Sequence, residues 1–203
     1  MTEQHLHIIT HTVPWPADFG GVVDLFYKLK ALYQQGVKIH LHCFTQGRKP
    51  QAALNKYCVS VNYYKRENNI SSFSFTLPYI VSSRKDKALL VNLTKDNYPI
   101  LIEGIHCAYL LYKVELDNRK VILRLHNVEF EYYHRLAQHE QNFFKRLYYL
   151  HESKLLKLFE KAITNKVLIA AVSKQDVTLY QQNFGTANIH FLPVFLPYTS
   201  VAG

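Results

Sequence analysis

Short apolar runs alternate with segments of helical period along this chain, and that alternation sets the expected architecture. Residues 6–10 are largely apolar and predict a short strand. Val22, Phe26, Leu29 and Leu32 then recur at helical spacing before a turn at Gly36. Residues 37–44 alternate with period two, 46–50 read as a loop, and 52–57 as a short helix. A third strand is expected at 59–64 and a fourth at 99–103. Between them lie a Ser-, Phe- and Asn-rich stretch at 68–78 with no helical period and a helical pattern at 84–93. A helix at 108–114 and a strand at 121–125 follow, then long helices over 130–164. A sixth strand at 167–172, a helix at 174–184 closed by Gly185, and a seventh strand at 189–192 complete the series.

Repeated strand–helix–strand units need right-handed crossovers, because parallel neighbours cannot be joined by a hairpin. The expected fold is α/β and Rossmann-like, with three layers and a mainly parallel sheet of seven strands covered on both faces. No internal linker, repeat or low-complexity tract divides residues 1–203, so one domain is expected. In such sheets ligands sit beyond the strand C-termini, where the strand order reverses. Four polar stretches fall at those positions. They are residues 11–21, residues 103–106, residues 126–129, and Ser173. Their coincidence carries more than any single motif.

The first stretch ends in Gly20 and Gly21 at the start of the predicted helix. Glycine lets a backbone approach a ligand closely, and the free N–H groups and dipole of a first helical turn favour phosphate. The pair is neither a GxGxxG nor a P-loop motif, and it equally fits a turn that merely admits the helix. Glu103 and Arg124 end neighbouring predicted strands on the same side of the sheet. Buried charges need partners, so a structural ion pair between them is expected rather than catalysis. His106 is placed either to donate to a sugar hydroxyl or phosphate oxygen, or to face solvent at a helix end. Asn127 fits an N-cap with acids nearby, while His126, Asn127 and Glu129 together also suit a polyhydroxylated ligand. Ser173 fits a simple N-cap.

His5, His7, His40 and His42 share one face of two neighbouring predicted strands. Without Cys, Asp or Glu ligands nearby in sequence, packing or hydrogen bonding outweighs a metal site, and no metal is expected. No GxSxG or activated cysteine supports nucleophilic catalysis.

Composition narrows the class. The chain has 203 residues, 48% of them hydrophobic and 14% aromatic, enough to bury one sizeable core. No run approaches the ~20 apolar residues of a membrane span, and no basic n-region precedes an apolar segment. Three widely spaced cysteines suit reduced thiols, and a cytoplasmic location is expected. Lys and Arg outnumber Asp and Glu by 24 to 15, for a formal charge of +9. That balance suits phosphorylated ligands or an anionic membrane surface at the inner face of the membrane. Nucleic acid is disfavoured because no recognition motif accompanies the charge. The short basic clusters, Arg84 and Lys85 among them, are read as solvated surface.

These residues resemble the N-terminal domain of a GT-B-fold glycosyltransferase, close to the large retaining family 4-like group of bacterial mannosyl- and glucosyltransferases. The matching stretches are 16–21, 103–106, 124–129, 171–176 and 191–195, in the family's order and over nearly the whole chain. The resemblance implies that Gly20 and Gly21 offer N–H groups to the donor diphosphate and that His106 lies near the transferred sugar. It also implies that Asp18, His126, Asn127 and Glu129 lie on the acceptor side. A nucleotide sugar would be the co-substrate, with no metal or other cofactor, and a glycan or lipid-linked molecule the acceptor. Such enzymes pass into a second, nucleotide-sugar-binding domain where this sequence ends, at residues 195–200. The resemblance therefore implies an acceptor-side domain that does not transfer sugar without its C-terminal partner. A sugar-nucleotide epimerase of the same architecture and a stand-alone ligand-binding domain are the alternatives.

Overall fold

The computed structural model describes residues 3–69, 72–113, 116 and 119–196. Val114, which ends the helix expected at 108–114, and residues 197–200 of the expected domain exit lie outside the described residues. Seven strands, β1 (His5–Thr10), β2 (Lys38–Thr45), β3 (Ser60–Lys65), β4 (Ile100–Glu103), β5 (Val121–Leu125), β6 (Leu168–Ala171) and β7 (Ile189–Phe191), form one sheet. Its order is β3-β2-β1-β4-β5-β6-β7, and every neighbouring pair is parallel. This is the α/β Rossmann-like fold that the alternation predicts. The order reverses between β1 and β4, because the chain leaves β1 towards β2 and returns on the other side of β1.

Helix α1 (Gly20–Gln34) links β1 to β2 on one face. It closes a small core made by Phe26 and Leu29 with Ile8, Ile39, Leu41 and Cys43. The remaining helices build a larger core on the other face. These are α2 (Tyr79–Ser82), α3 (Lys87–Leu93), α4 (Tyr109–Lys113), α5 (Glu129–His139), α6 (Phe143–Ile163) and α7 (Lys174–Phe184). Gly185 ends α7 in the left-handed conformation at φ 64°, as a C-terminal glycine should.

Several local expectations are corrected. The loop read over 68–78 is followed by the four-residue α2, which no pattern anticipated and whose Tyr79 N–H donates to Glu152 Oε2 at 2.8 Å. A long-range carboxylate supplies that cap, so the local pattern carries no trace of it. The helix expected from residue 84 begins at Lys87, because Asp86 accepts from the N–H groups of Ala88 and Leu89. Arg84 is only 3% exposed, not solvated surface. It donates to Ile80 O at 2.7 Å and Gln46 Oε1 at 2.6 Å, and burial pushes its pKa down to about 10. The long helical stretch divides at residues 140–142, where Asn142 caps α6 by accepting from Lys145 N–H at 3.1 Å. Ser173 caps α7 in the same way, through Asp176 N–H.

The four strand histidines do gather. His7 Nδ1 and His42 Nε2 lie 2.8 Å apart, and His5 Nδ1 and His40 Nε2 lie 3.0 Å apart. A carboxylate, Asp96, also reaches His7 at 3.0 Å, and Tyr64 hydroxyl reaches His42 at 2.8 Å. Burial pushes His42 down to about 3 and lowers His7 and His40. The ladder is a hydrogen-bonded row across β1 and β2 on the face of the sheet opposite α1.

Candidate active site at the switch point

Parallel register places Thr10, Glu103, Arg124 and Ala170 side by side at the C-terminal edge of β1, β4, β5 and β6. All four side chains therefore point to the α1 face. Glu103 and Arg124 are both fully buried there. Their direct pairing is long, at 3.9 Å, and each has closer partners. Glu103 accepts from Lys28 Nζ at 2.6 Å and pairs with His126 Nε2 at 3.0 Å, while Arg124 Nη2 donates to Asp24 Oδ1 at 3.2 Å. Lys28 also donates to Asp24 at 3.2 Å. The expected ion pair is thus one edge of a five-residue network. Sequence reading missed Asp24 and Lys28. Their signal was a charged pair at i, i+4 on a helix whose neighbouring positions are apolar.

Burial alone would push the Glu103 carboxyl up. Lys28, then the hydrogen bond and charge of His126, outweigh it and hold that carboxyl at about 2. Asp24, Glu103 and His126 offer ligand atoms within 4.8 Å of one another. The position between the two carboxylates is already taken by the Lys28 ammonium, so this trio is neutralised from within.

Immediately beyond lie three imidazoles. His11 follows β1, His106 sits in the 3-10 turn Ile105–Cys107 after β4, and His126 follows β5. The His11 ring stacks on His106 at 5.1 Å and meets His126 edge-on at 5.8 Å. Gly104 makes this convergence possible. Its φ is 87°, and a Cβ there would lie 3.1 Å from His106 Nδ1 and 3.7 Å from atoms of both His11 and His126. Gly104→Ala is expected to cost about 1–3 kcal/mol and to displace the His106 ring. A melting temperature equal to that of the parent in thermal denaturation would refute the expected strain.

Burial holds His11 near 4 and His106 well below its ordinary value, so both rings are neutral at pH 7. Nδ1 of His106 is buried without a hydrogen-bond partner among the described residues. Glu129 is buried at the start of α5, and burial raises its pKa to about 7 against the pull of Asn127, His126 and Arg84. Asn127 is not the N-cap expected of it. Val128 holds that position, and no side chain caps the helix.

Helix α1 starts at Gly20 with Phe19 as N-cap and no side-chain cap. Phe19 O accepts from the N–H groups of Val22 and Val23. A Cβ at Gly20 would meet nothing within 4 Å, and one at Gly21 only a Phe19 ring atom at 3.8 Å. Neither glycine has a positive φ, and a Cβ at either would meet no backbone. Asp24, one helical turn further on, belongs to the charged network, so the α1 N-terminus opens beside the imidazoles. Asp18 stands apart from them. It is exposed and pairs with Arg48, which also donates to Pro16 O at 2.8 Å and so braces the loop before α1.

No protein-family model matches the chain. A Klebsiella pneumoniae protein described as an "uncharacterized 44.6 kDa protein in cps region" is 28% identical over 164 residues. The match covers 78% of this chain and 42% of that protein. Sucrose-phosphate synthase from Thermosynechococcus elongatus aligns with a TM-score of 0.59 at 18% identity, over 94% of this chain and 48% of its own. Arabidopsis thaliana UGT89C1, solved with UDP-L-rhamnose, aligns with a TM-score of 0.56 at 14% identity, over 98% and 51%. The fold is shared. The chain spans less than half the length of the curated relative and about half that of the two solved structures.

Proposed function

We propose that this chain forms the acceptor-side half of a glycosyltransferase of GT-B type. It would move a sugar from a nucleotide-sugar donor to a hydroxyl of a glycan or lipid-linked acceptor. The unpartnered, buried Nδ1 of His106 carries the reading, because a buried polar atom needs a partner. It lies beside two further imidazoles at the switch point, where this fold binds ligands. Two likenesses add support: a solved chain of similar fold carries UDP-L-rhamnose, and the curated relative is described as lying in a cps region, which fits cell-envelope polysaccharide synthesis.

Glycosyl transfer must stabilise charge on the departing diphosphate and hold an acceptor hydroxyl against the anomeric carbon. Gly20 and Gly21 N–H groups at the α1 N-terminus suit the first task. Neutral His106, with His126 beside it, can exchange hydrogen bonds with sugar hydroxyls, and Glu129, raised by burial to about 7, can accept a proton from the acceptor hydroxyl. With Lys28 already neutralising Asp24 and Glu103, the reading calls for no metal. Retention of anomeric configuration follows from the family resemblance alone. The 203-residue chain by itself is expected not to turn over.

The test is a nucleotide-sugar screen of the full gene product with Gly21→Val and His106→Ala. A Cβ at Gly21 meets only a Phe19 ring atom at 3.8 Å, so Gly21→Val should keep a parent-like melting temperature while weakening donor binding by about tenfold or more. His106→Ala should lower turnover by about a hundredfold, of the order seen for a group that contacts reacting atoms. Undiminished donor affinity in Gly21→Val would remove the diphosphate contact. Undiminished turnover in His106→Ala would remove the sugar-site assignment.

A further inference from the structure

Two arginines stand together at the C-terminal rim of the sheet without a counter-ion. Among the described residues, the arginine ion pairs engage Arg48, Arg119, Arg124 and Arg135, and neither Arg66 nor Arg84. Arg84 follows α2 and is 3% exposed. Its terminal nitrogens donate to Ile80 O and Gln46 Oε1, and its buried Nε has no partner among the described residues. Arg66 follows β3 directly. Its Nε donates to Ser83 Oγ at 3.1 Å, and its guanidinium lies over the Tyr79 ring, 5.6 Å from the centroid. The two terminal nitrogens of Arg66 have no hydrogen-bond partner among the described residues. After burial, the charge of Arg66 helps to lower Arg84, and both arginines help to lower His106. Glu129 acts on Arg84 from outside pairing distance, but burial pushes it up to about 7, so it does not neutralise the pair. Buried charges are normally paired, and like charges held close cost stability. An oxyanion beside these two reverses that cost.

The surroundings suit a sugar. Arg66 lines a hollow of about 330 Å³ with Lys65, Asn68, Asn69 and Glu67, whose carboxylate accepts from Ser72 Oγ at 3.2 Å. An adjoining hollow of about 290 Å³ shares both asparagines and adds three aromatic rings, Phe73, Tyr79 and Tyr148. Helix α2 packs on the 3-10 turn that carries His106, which puts this groove and the imidazole cluster on one rim of the sheet. One part of the groove is cationic, the other aromatic, and asparagine amides lie where they join.

We propose that the groove selects an acidic sugar as the acceptor. A carboxylate or phosphate on that sugar meets the Arg66 guanidinium, backed by Arg84, while the apolar face of its ring packs on Tyr79 and Tyr148. Uronates and sugar phosphates share the oxyanion that arginine recognises. A neutral sugar leaves the two cations uncompensated, so the preference comes from charge. That the bound sugar is the acceptor rests on the sugar-transfer reading, whereas the preference for an acidic sugar does not.

NMR titrations with glucuronate, glucose 6-phosphate and glucose at fixed ionic strength test this. One or both acidic sugars should bind at least about tenfold more tightly than glucose, and the better one identifies the oxyanion. Arg66→Gln should erase that preference, keep the affinity for glucose, and melt no lower than the parent, because it relieves the repulsion on Arg84. Arg66→Lys should restore only part of the preference, since an ammonium lacks the planar fork. In the full gene product, Arg66→Gln should leave UDP affinity unchanged, and Gly21→Val should leave the acidic-sugar preference unchanged. A failed donor site and a failed acidic-sugar site are thereby told apart. Equal affinities for all three sugars, a preference that survives in Arg66→Gln, inorganic phosphate binding as tightly as the sugar phosphate, or UDP affinity lost in Arg66→Gln would each overturn the proposal.

Discussion

Lys28→Met is expected to destabilise the fold by about 3–5 kcal/mol, the range for breaking a buried ion pair from one side. Lys28 Nζ sits 2.6 Å from Glu103 Oε1 and 3.2 Å from Asp24 Oδ2, and all three side chains are under 5% exposed. Removing the ammonium leaves two buried carboxylates with less cation than they need. Arg124 Nε remains 3.9 Å from Glu103 and already serves Asp24 and the carbonyls of Leu192 and Pro193 through its other nitrogens. At about 2–4 °C per kcal/mol for a chain of this size, the melting temperature should fall by roughly 10 °C. Adding Glu103→Gln removes one orphaned charge, so the double variant should lose less than the sum of the two singles. A loss below about 1 kcal/mol in urea unfolding of Lys28→Met would show that the network is not what holds this edge of the sheet.

Stability should peak between about pH 6 and 7 and fall on both sides, more steeply in acid. The signs follow from two opposed sets of buried groups. Burial lowers His7, His11, His40, His42 and His106, with His11 near 4 and His42 near 3. The unfolded chain takes up those protons near pH 6.5 and the native state does not, so stability drops as pH falls below that value. Burial raises Glu129 and Glu152 to about 7 and Glu160 to about 8. The native state keeps those protons above pH 4.5 and the unfolded chain does not, so stability drops as pH rises through 7 to 8. Between pH 4.5 and 6.5 the two sets oppose each other, and the more numerous imidazoles prevail. Below pH 4.5 the unfolded chain also reprotonates its carboxylates, Glu103 loses its advantage, and the acid limb steepens. Urea titrations from pH 4 to 9 should trace this curve. Glu160→Gln, which keeps an oxygen to accept from Phe130 N–H, should flatten the alkaline limb. A flat profile from pH 5 to 9 would contradict the assigned burial of both sets.

The alternation of apolar strands with helical segments was sufficient to specify seven strands, their parallel pairing and the strand ends where polar groups converge. Period and turn chemistry are local, so a sequence displays them directly. Ser173 and Gly185 were legible for the same reason, since a cap acts on residues within one turn. What failed was an exact helix boundary and features whose partner is distant. Asn127 lost its expected N-cap role because α5 begins one residue later. The short helix α2, just beyond the stretch read as a loop, takes its cap from Glu152 of α6. Arg84 is buried because Gln46, 38 residues away, satisfies its terminal nitrogens together with the nearby Ile80 O.

The candidate site divides along the same line. Glu103, Gly104, His106, Arg124, His126 and Glu129 were marked by their place after strands. Gly20 and Gly21 were marked in the same way, and they open α1 without a side-chain cap. Tertiary structure alone added Asp24 and Lys28 and turned a two-residue ion pair into a network. By itself, the sequence determined the fold and which strand ends gather polar groups, because secondary-structure period and crossover handedness are properties of the local chain. Only the tertiary structure decided which charges neutralise one another and that His106 is left without a partner. Charge energies depend on distances and burial set jointly by residues far apart in the chain.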